Sequence, residues 1–130
     1  MLYDSISPAC KCTQDVLGKT DPYVVLALEQ DNVFRDKDYG YQKSSVKQGD
    51  LNPVWNEDFV FSNIPTLDNM VLTLKVMDSD VGSRDDKCGK CKIKLEKEGI
   101  TSTPKRIVKT IDRNLIAANG TITVDISYHP

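Results

Sequence analysis

Five aspartates are the residues whose type and placement could do chemistry in this chain. Asp15 and Asp21 flank the turn Val16-Leu17-Gly18-Lys19-Thr20, just before the run Pro22-Tyr23-Val24-Val25-Leu26-Ala27-Leu28. Asp78, Asp80 and Asp86 flank a second turn, Val81-Gly82-Ser83-Arg84-Asp85, just after Met70-Val71-Leu72-Thr73-Leu74-Lys75-Val76-Met77. Carboxylates held within a few ångströms repel one another unless cations sit between them. An all-oxygen donor set suits calcium, a hard cation that takes roughly 6–8 oxygen ligands and tolerates irregular loops. Magnesium prefers fewer carboxylates, and transition metals want nitrogen or sulfur, which these turns lack. Against this stands the ordinary use of aspartate in β-turns, where it bonds nearby backbone. For any one of the five alone, that is the simpler account.

Two turns so far apart in sequence can share a cup only if the elements behind them end at one place. Those elements read as strands. Beside the two runs above, Phe59-Val60-Phe61 closes a run that follows Trp55, and Cys91-Lys92-Ile93-Lys94-Leu95 alternates cleanly. So does Ile122-Thr123-Val124-Asp125-Ile126-Ser127-Tyr128. Alternation sends one set of side chains inward and the other to water, the mark of half-buried strands. Turn residues at Leu17-Gly18, Gly49-Asp50, Asn52-Pro53, Val81-Gly82 and Asn119-Gly120 separate them. About eight short strands at this spacing predict an antiparallel β-sandwich, whose loops gather at its two ends. A brief helix fits between Leu95 and Gly99, and Asp31 to Gly40 reads as a polar surface loop.

Bulk properties set the frame. The chain has 130 residues, enough for one sizeable core, so residues 1–130 are expected to form a single domain. Seventeen basic against nineteen acidic residues is no nucleic-acid footprint. No apolar run reaches the roughly 18 residues of a membrane span, and the start lacks the pattern of a secretory signal. The expectation is a cytoplasmic monomer whose membrane contact is peripheral.

Three segments resemble the C2 domain family. Asp15-Val16-Leu17-Gly18-Lys19-Thr20-Asp21-Pro22-Tyr23-Val24 is similar to the first calcium loop and the strand after it. Leu51-Asn52-Pro53-Val54-Trp55-Asn56-Glu57-Asp58-Phe59 matches the family's Leu-Asn-Pro-x-Trp-Asn-Glu-x-Phe segment almost residue for residue. Asp78-Ser79-Asp80, with Asp86-Lys87-Cys88-Gly89 after it, is similar to the third loop. The order is the family's. The resemblance implies an eight-stranded antiparallel Greek-key β-sandwich. Because the closing strand resembles one that opens other members, it also implies the permuted type II topology. Ser7-Pro8 interrupts the opening strand, which is therefore expected at an edge or with a bulge.

The resemblance further implies roles. Asp15, Asp21, Asp78, Asp80 and Asp86 fall on the acidic positions that ligate two or three Ca2+ ions, and carbonyls of Gln14, Ser79 and Arg84 complete the shells. Trp55 and Tyr23 are packing residues. Calcium would turn a repelled acidic end into one attracted to anionic phospholipid such as phosphatidylserine. Val16, Leu17 and Val81 at the tips would enter lipid, with Lys19 and Arg84 meeting headgroup oxygens; alternatively Leu17 folds back onto the domain. A calcium rise would thus recruit the protein to membranes. Members that grip phosphoinositides use paired lysines on two strands. Here Val25 and Ala27 replace one pair, and Ser45 replaces the partner of Lys43. Lys43, Lys47 and Lys75, with Lys92 and Lys94, form at most a looser basic patch, so phosphoinositide selectivity is expected to be weak.

The cysteines lie at Cys10, Cys12, Cys88 and Cys91, and four thiolates can hold Zn2+. Small buried hydrophobes, reduced in a cytosol, are the favoured reading over zinc or a disulfide. Enzyme chemistry finds little purchase. The single histidine, His129, is next to last, and there is no phosphate-cradling glycine-rich loop. An EF-hand fails on register, since counting from Asp78 puts Ser83 at position six and Gly89 at position twelve. The chief rival is a C2 scaffold for a protein partner, with calcium as a structural or regulatory ligand.

Overall fold

Side chains alternate across a strand, so a run that is apolar at every second residue hides one face only by stacking on another such run. The computed structural model describes residues 2–6, 21–49, 53–79, 86–111 and 121–130, with 2–6 and 86–88 as backbone. Within them lie β1 (Leu2–Ile6), β2 (Pro22–Gln30), β3 (Lys37–Lys43), β4 (Glu57–Phe61), β5 (Met70–Asp78), β6 (Asp86–Lys94), β7 (Lys105–Thr110) and β8 (Thr121–Tyr128). They form two four-stranded sheets, ordered β4-β1-β8-β7 and β3-β2-β5-β6, with every pair antiparallel. This is the Greek-key sandwich expected.

The core follows from the pattern. Val24, Leu26 and Leu28 of β2 face Leu72, Leu74 and Val76 of β5 in one sheet, all fully buried. Ile122, Val124 and Ile126 of β8 supply the other sheet's side of the same cluster, joined by Phe59 and Phe61 of β4. Trp55 is buried with them, and its Nε1–H donates to the carbonyl of Ser45 at 2.9 Å, so no polar atom is stranded. β5 is more enclosed than a one-faced strand: Val71 and Thr73, on its outer face, are covered too.

Two expectations change. β1 is not an edge strand, because Tyr3 lies opposite both Val60 of β4 and Ser127 of β8, which makes β1 a central strand of its sheet. Its described residues end at Ile6; Ser7 and Pro8, where a bulge is the other expectation, lie outside the described residues. The segment expected as a loop to Gly40 also becomes strand from Lys37 onward. A register shift in β3 opposite Ala27 and Glu29 is accommodated by Gly40, whose φ of 101° suits glycine, with its N–H donating to Asp38 Oδ1 at 2.7 Å. The expected short helix is a 3-10 turn, Leu95–Glu98, closed by Gly99 at φ 66°.

Permuted topology is visible in the sheet order. The closing strand β8 fills the place between β1 and β7, as the type II arrangement requires. β2 and β5 lie side by side over their full length, and this pairing fixes the site.

Candidate metal centre

Antiparallel pairing brings the start of β2 against the end of β5, with Pro22 opposite Asp78. On the far side of β5, Asp78 lies opposite Asp86, the first residue of β6. Three of the five acidic positions therefore meet at one end of one sheet. Asp21 and Asp78 are tied directly: the Asp21 N–H donates to Asp78 Oδ1 at 2.9 Å, and the Ser79 N–H donates to the Asp21 carbonyl at 3.0 Å. Asp21 Oδ1 in turn accepts the N–H of Gly49 at 2.7 Å.

Each of these two carboxylates thus spends one oxygen on backbone. Among the described residues, no donor meets the other oxygen of either, and the ion pairs, Arg106–Asp125 and Lys109–Glu98, lie elsewhere. Both residues are partly exposed. Hard, anionic and anchored at one oxygen, they form a donor set that suits calcium. Asp86 would join them from the position its backbone occupies. Asp15, Asp80, Gln14 and Arg84 lie outside the described residues, as do Val16, Leu17, Lys19 and Val81.

Sequence reasoning missed Gly49. The link from the segment after β3 to Asp21 depends on a loop approaching from beyond the motif, and glycine there reads only as a turn. Lys47, half-buried, is nearby, its N–H donating to the Pro22 carbonyl at 2.9 Å.

The basic patch takes a definite form. Lys43, Val25, Lys75 and Lys90 lie opposite one another in turn across β3, β2, β5 and β6, and so project on the same outer face. The next row of that face is Tyr41, Ala27, Thr73 and Lys92. Positive charge is spread along one face, with apolar Val25 and Ala27 in its middle, while Lys47 stands apart toward Asp21. Ser45 gives both its N–H and its hydroxyl to Glu57, at 3.0 and 2.7 Å, so an acid stands where a second lysine is absent.

Cys91 is buried in the core cluster. Burial pushes its thiol up to about 11, with Lys109 pulling weakly the other way. Zinc needs thiolate, which this setting opposes. Of the other zinc candidates, Cys10, Cys12 and the Cys88 side chain lie outside the described residues.

A second acidic group lies at the other end of β2. Oxygens of Glu29, Asp31 and Asp36 all fall within 4.8 Å of one another. Asp36 Oδ1 accepts the Asn32 N–H at 3.1 Å, the ordinary behaviour of a loop aspartate.

Comparison with known proteins agrees with the fold. The C2 domain family model matches residues 8–110. Synaptotagmin-6 of Rattus norvegicus is 33% identical over 87 residues, 66% of this chain and 16% of that protein. Synaptotagmin-7 of Mus musculus is 40% identical over 78 residues, 58% of this chain and 18% of that protein. The chain thus spans only a small part of the relatives it matches. A C2 domain of plant extended synaptotagmin 1 superposes with a TM-score of 0.82 at 26% identity, covering 99% of this chain and 93% of that one. Human GIVD cytosolic phospholipase A2, solved with an inhibitor and terbium chloride, gives 0.68 at 25% identity, covering 97% of this chain and 17% of that one.

Proposed function

Because this chain belongs to the C2 domain family, we propose that it is a binding module, not a catalyst, that docks on anionic phospholipid when calcium is present. The observation that carries the reading is the joining of Asp21 to Asp78, with Asp86 placed opposite Asp78 on the next strand. Asp21, Asp78 and Asp86, with Asp15 and Asp80 at the matching motif positions, would hold two or three calcium ions. Bound calcium would supply positive charge and open coordination positions for headgroup oxygens. The anchoring hydrogen bonds hold the Asp21 and Asp78 carboxylates in place, so less ordering is left for binding to accomplish. Lys43, Lys75 and Lys90 add attraction to a negative leaflet that weakens as salt rises. Val16, Leu17 and Val81, beside the acids in sequence, are the side chains to enter lipid, and Lys19 and Arg84 those to meet headgroups.

Several findings support this reading. The C2 domain family model matches residues 8–110, the stretch that carries the five acids. Terbium, present with the human phospholipase, is a hard ion that favours the same oxygen donors as calcium. No helix among the described residues is long and apolar enough to cross a membrane, so a cytoplasmic pool recruited by rising calcium fits the described chain. Phosphoinositide selectivity is weak in this reading, because Val25 and Ala27 interrupt the lysine face and Glu57 sits on Ser45.

Co-sedimentation with phosphatidylserine vesicles, in calcium and in chelator, tests it. Binding in calcium alone is expected. Equal binding in both conditions, or none in either, would instead favour a protein-interaction scaffold.

A further inference from the structure

At the end of β2 remote from Asp21, residues 31–36 connect to β3 and carry the most exposed apolar side chains among the described residues. Val33 is 94% and Phe34 100% exposed. Contiguous apolar groups left in water mark a contact surface more often than scattered ones do. The loop is braced: the Asp31 N–H donates to the Asn69 carbonyl at 2.9 Å, the Asn32 N–H to Asp36 Oδ1 at 3.1 Å, and Gln30 Nε2 to the Asp68 carbonyl at 3.0 Å. Phe34 stands fully exposed on this braced loop as a knob. Glu29, Asp31 and Asp36 make its base negative.

Beside this knob is an open cavity of about 180 Å³, with Val71 in its lining and Lys94, Lys97, Glu96 and Asp31 around it. Val71 belongs to the outer row, opposite Glu29 and Lys94, and stands apart from the core cluster. At about 180 Å³ the open cavity has room for a phenyl ring, with Met70 and Val71 as its apolar lining. The chain's own Phe34, being fully exposed, does not fill it. Asp31 borders both features, so knob and cavity share one surface. Self-complementary patches of this kind are what a two-fold dimer uses.

We propose that two copies of the chain associate at this pole about a two-fold axis. Each Phe34 enters the other copy's cavity, with Glu29 and Asp36 facing Lys94 and Lys97 across the contact. A lipid surface fits this pole less well, since three gathered carboxylates would meet an anionic leaflet as like charge. The contact is small against the roughly 1,200 Å² of a stable interface, so the dimer is weak. The monomer expected from sequence is then its dissociated state. Nothing at the Asp21 end takes part, so the proposal stands apart from the calcium reading.

Sedimentation velocity of the whole chain, in chelator without lipid, from about 1 µM to about 1 mM, tests it. A sedimentation coefficient that rises with concentration is expected, with Phe34→Ser moving the midpoint about ten- to a hundred-fold higher. A charge swap guards against misfolding. Chains carrying Glu29→Lys with Asp36→Lys, and chains carrying Lys94→Glu with Lys97→Glu, should each stay monomeric alone and associate when mixed. A wild-type chain that stays monomeric throughout overturns the proposal, as does a Phe34→Ser chain that dimerises unchanged. So does a Phe34→Ser chain that loses only calcium-dependent pelleting with phosphatidylserine vesicles, which would assign the tip to lipid.

Discussion

The amide N–H of Asp21 is bonded to the carboxylate of Asp78 at 2.9 Å, across 57 positions of chain. The bond holds one acid against another, and the Asp21 carboxylate is itself anchored by the Gly49 N–H at 2.7 Å. Asp78→Asn keeps an acceptor for that N–H but removes the charge. Calorimetric titration should show calcium affinity lowered about tenfold or more, because ligand charge count tunes such sites. The melting temperature in chelator should stay close to wild type. An unchanged affinity would remove Asp78 from the site.

Saturating calcium should stabilise the chain. A ligand that binds only the folded state adds about 2.7 kcal/mol at a hundred times its dissociation constant. Thermal melts with calcium and with chelator should separate accordingly. Asp78→Asn should narrow the gap at fixed calcium, whereas coincident wild-type melts would mean that calcium is not held.

Lys75 sits mid-face, with Val25 and Lys43 on one side and Lys90 on the other. Lys75→Glu reverses one charge in the centre of that row. Vesicle binding in calcium should weaken several-fold at low salt and approach wild type as salt rises, since exposed charges are screened over about 10 Å at 0.1 M. Calcium binding without lipid should be unaffected. Equal vesicle binding by both chains would exclude the face from lipid contact.

What could be read beforehand was whatever local periodicity encodes. Ile122, Val124 and Ile126 announce a strand by alternation alone, and Asp21-Pro22-Tyr23-Val24 fixes the site's first side by motif. The central place of β1 could not be read, because its neighbours Val60 and Ser127 are far along the chain and nothing in Leu2–Ile6 specifies them. The lysine face was half legible. Each lysine alternates on its own strand, but lining up Lys43, Lys75 and Lys90 needs the register of four strands at once. Phe34 was invisible for a different reason: one aromatic in a polar loop looks alike whether it folds back or stands free.

Cys91 is a buried titratable group. The unfolded thiol loses its proton near 9.0, whereas burial holds the folded one to about 11. Stability is therefore undiminished below pH 9 and falls as pH rises through that window, by on the order of 2 kcal/mol. Chemical denaturation at pH 8 and pH 11, compared with Cys91→Ala, isolates this contribution from the tyrosines and lysines. Peptide mapping should also find Cys91 unalkylated in the native chain at pH 8 and modified once denatured.

Ser44 closes the seam where β3 ends beside β2. Its N–H donates to the Val24 carbonyl, and its hydroxyl accepts the Val24 N–H, both at 2.8 Å. Val24 is fully buried and Ser44 nearly so, and water cannot easily replace the hydroxyl. Ser44→Ala should leave the Val24 amide without a partner, at a cost of about 1–3 kcal/mol. Ser44→Thr keeps the oxygen and should recover most of that loss, where β-branching is also welcome. Denaturant titrations of the three chains decide it: equal stability of Ser44→Ala and wild type would mean that the strand satisfies this amide another way. The same seam leads on to Lys47 and Gly49, which contact Pro22 and Asp21. Loosening it should therefore also lower calcium affinity, by less than Asp78→Asn does, since it disturbs the placement of Asp21 and leaves its charge intact.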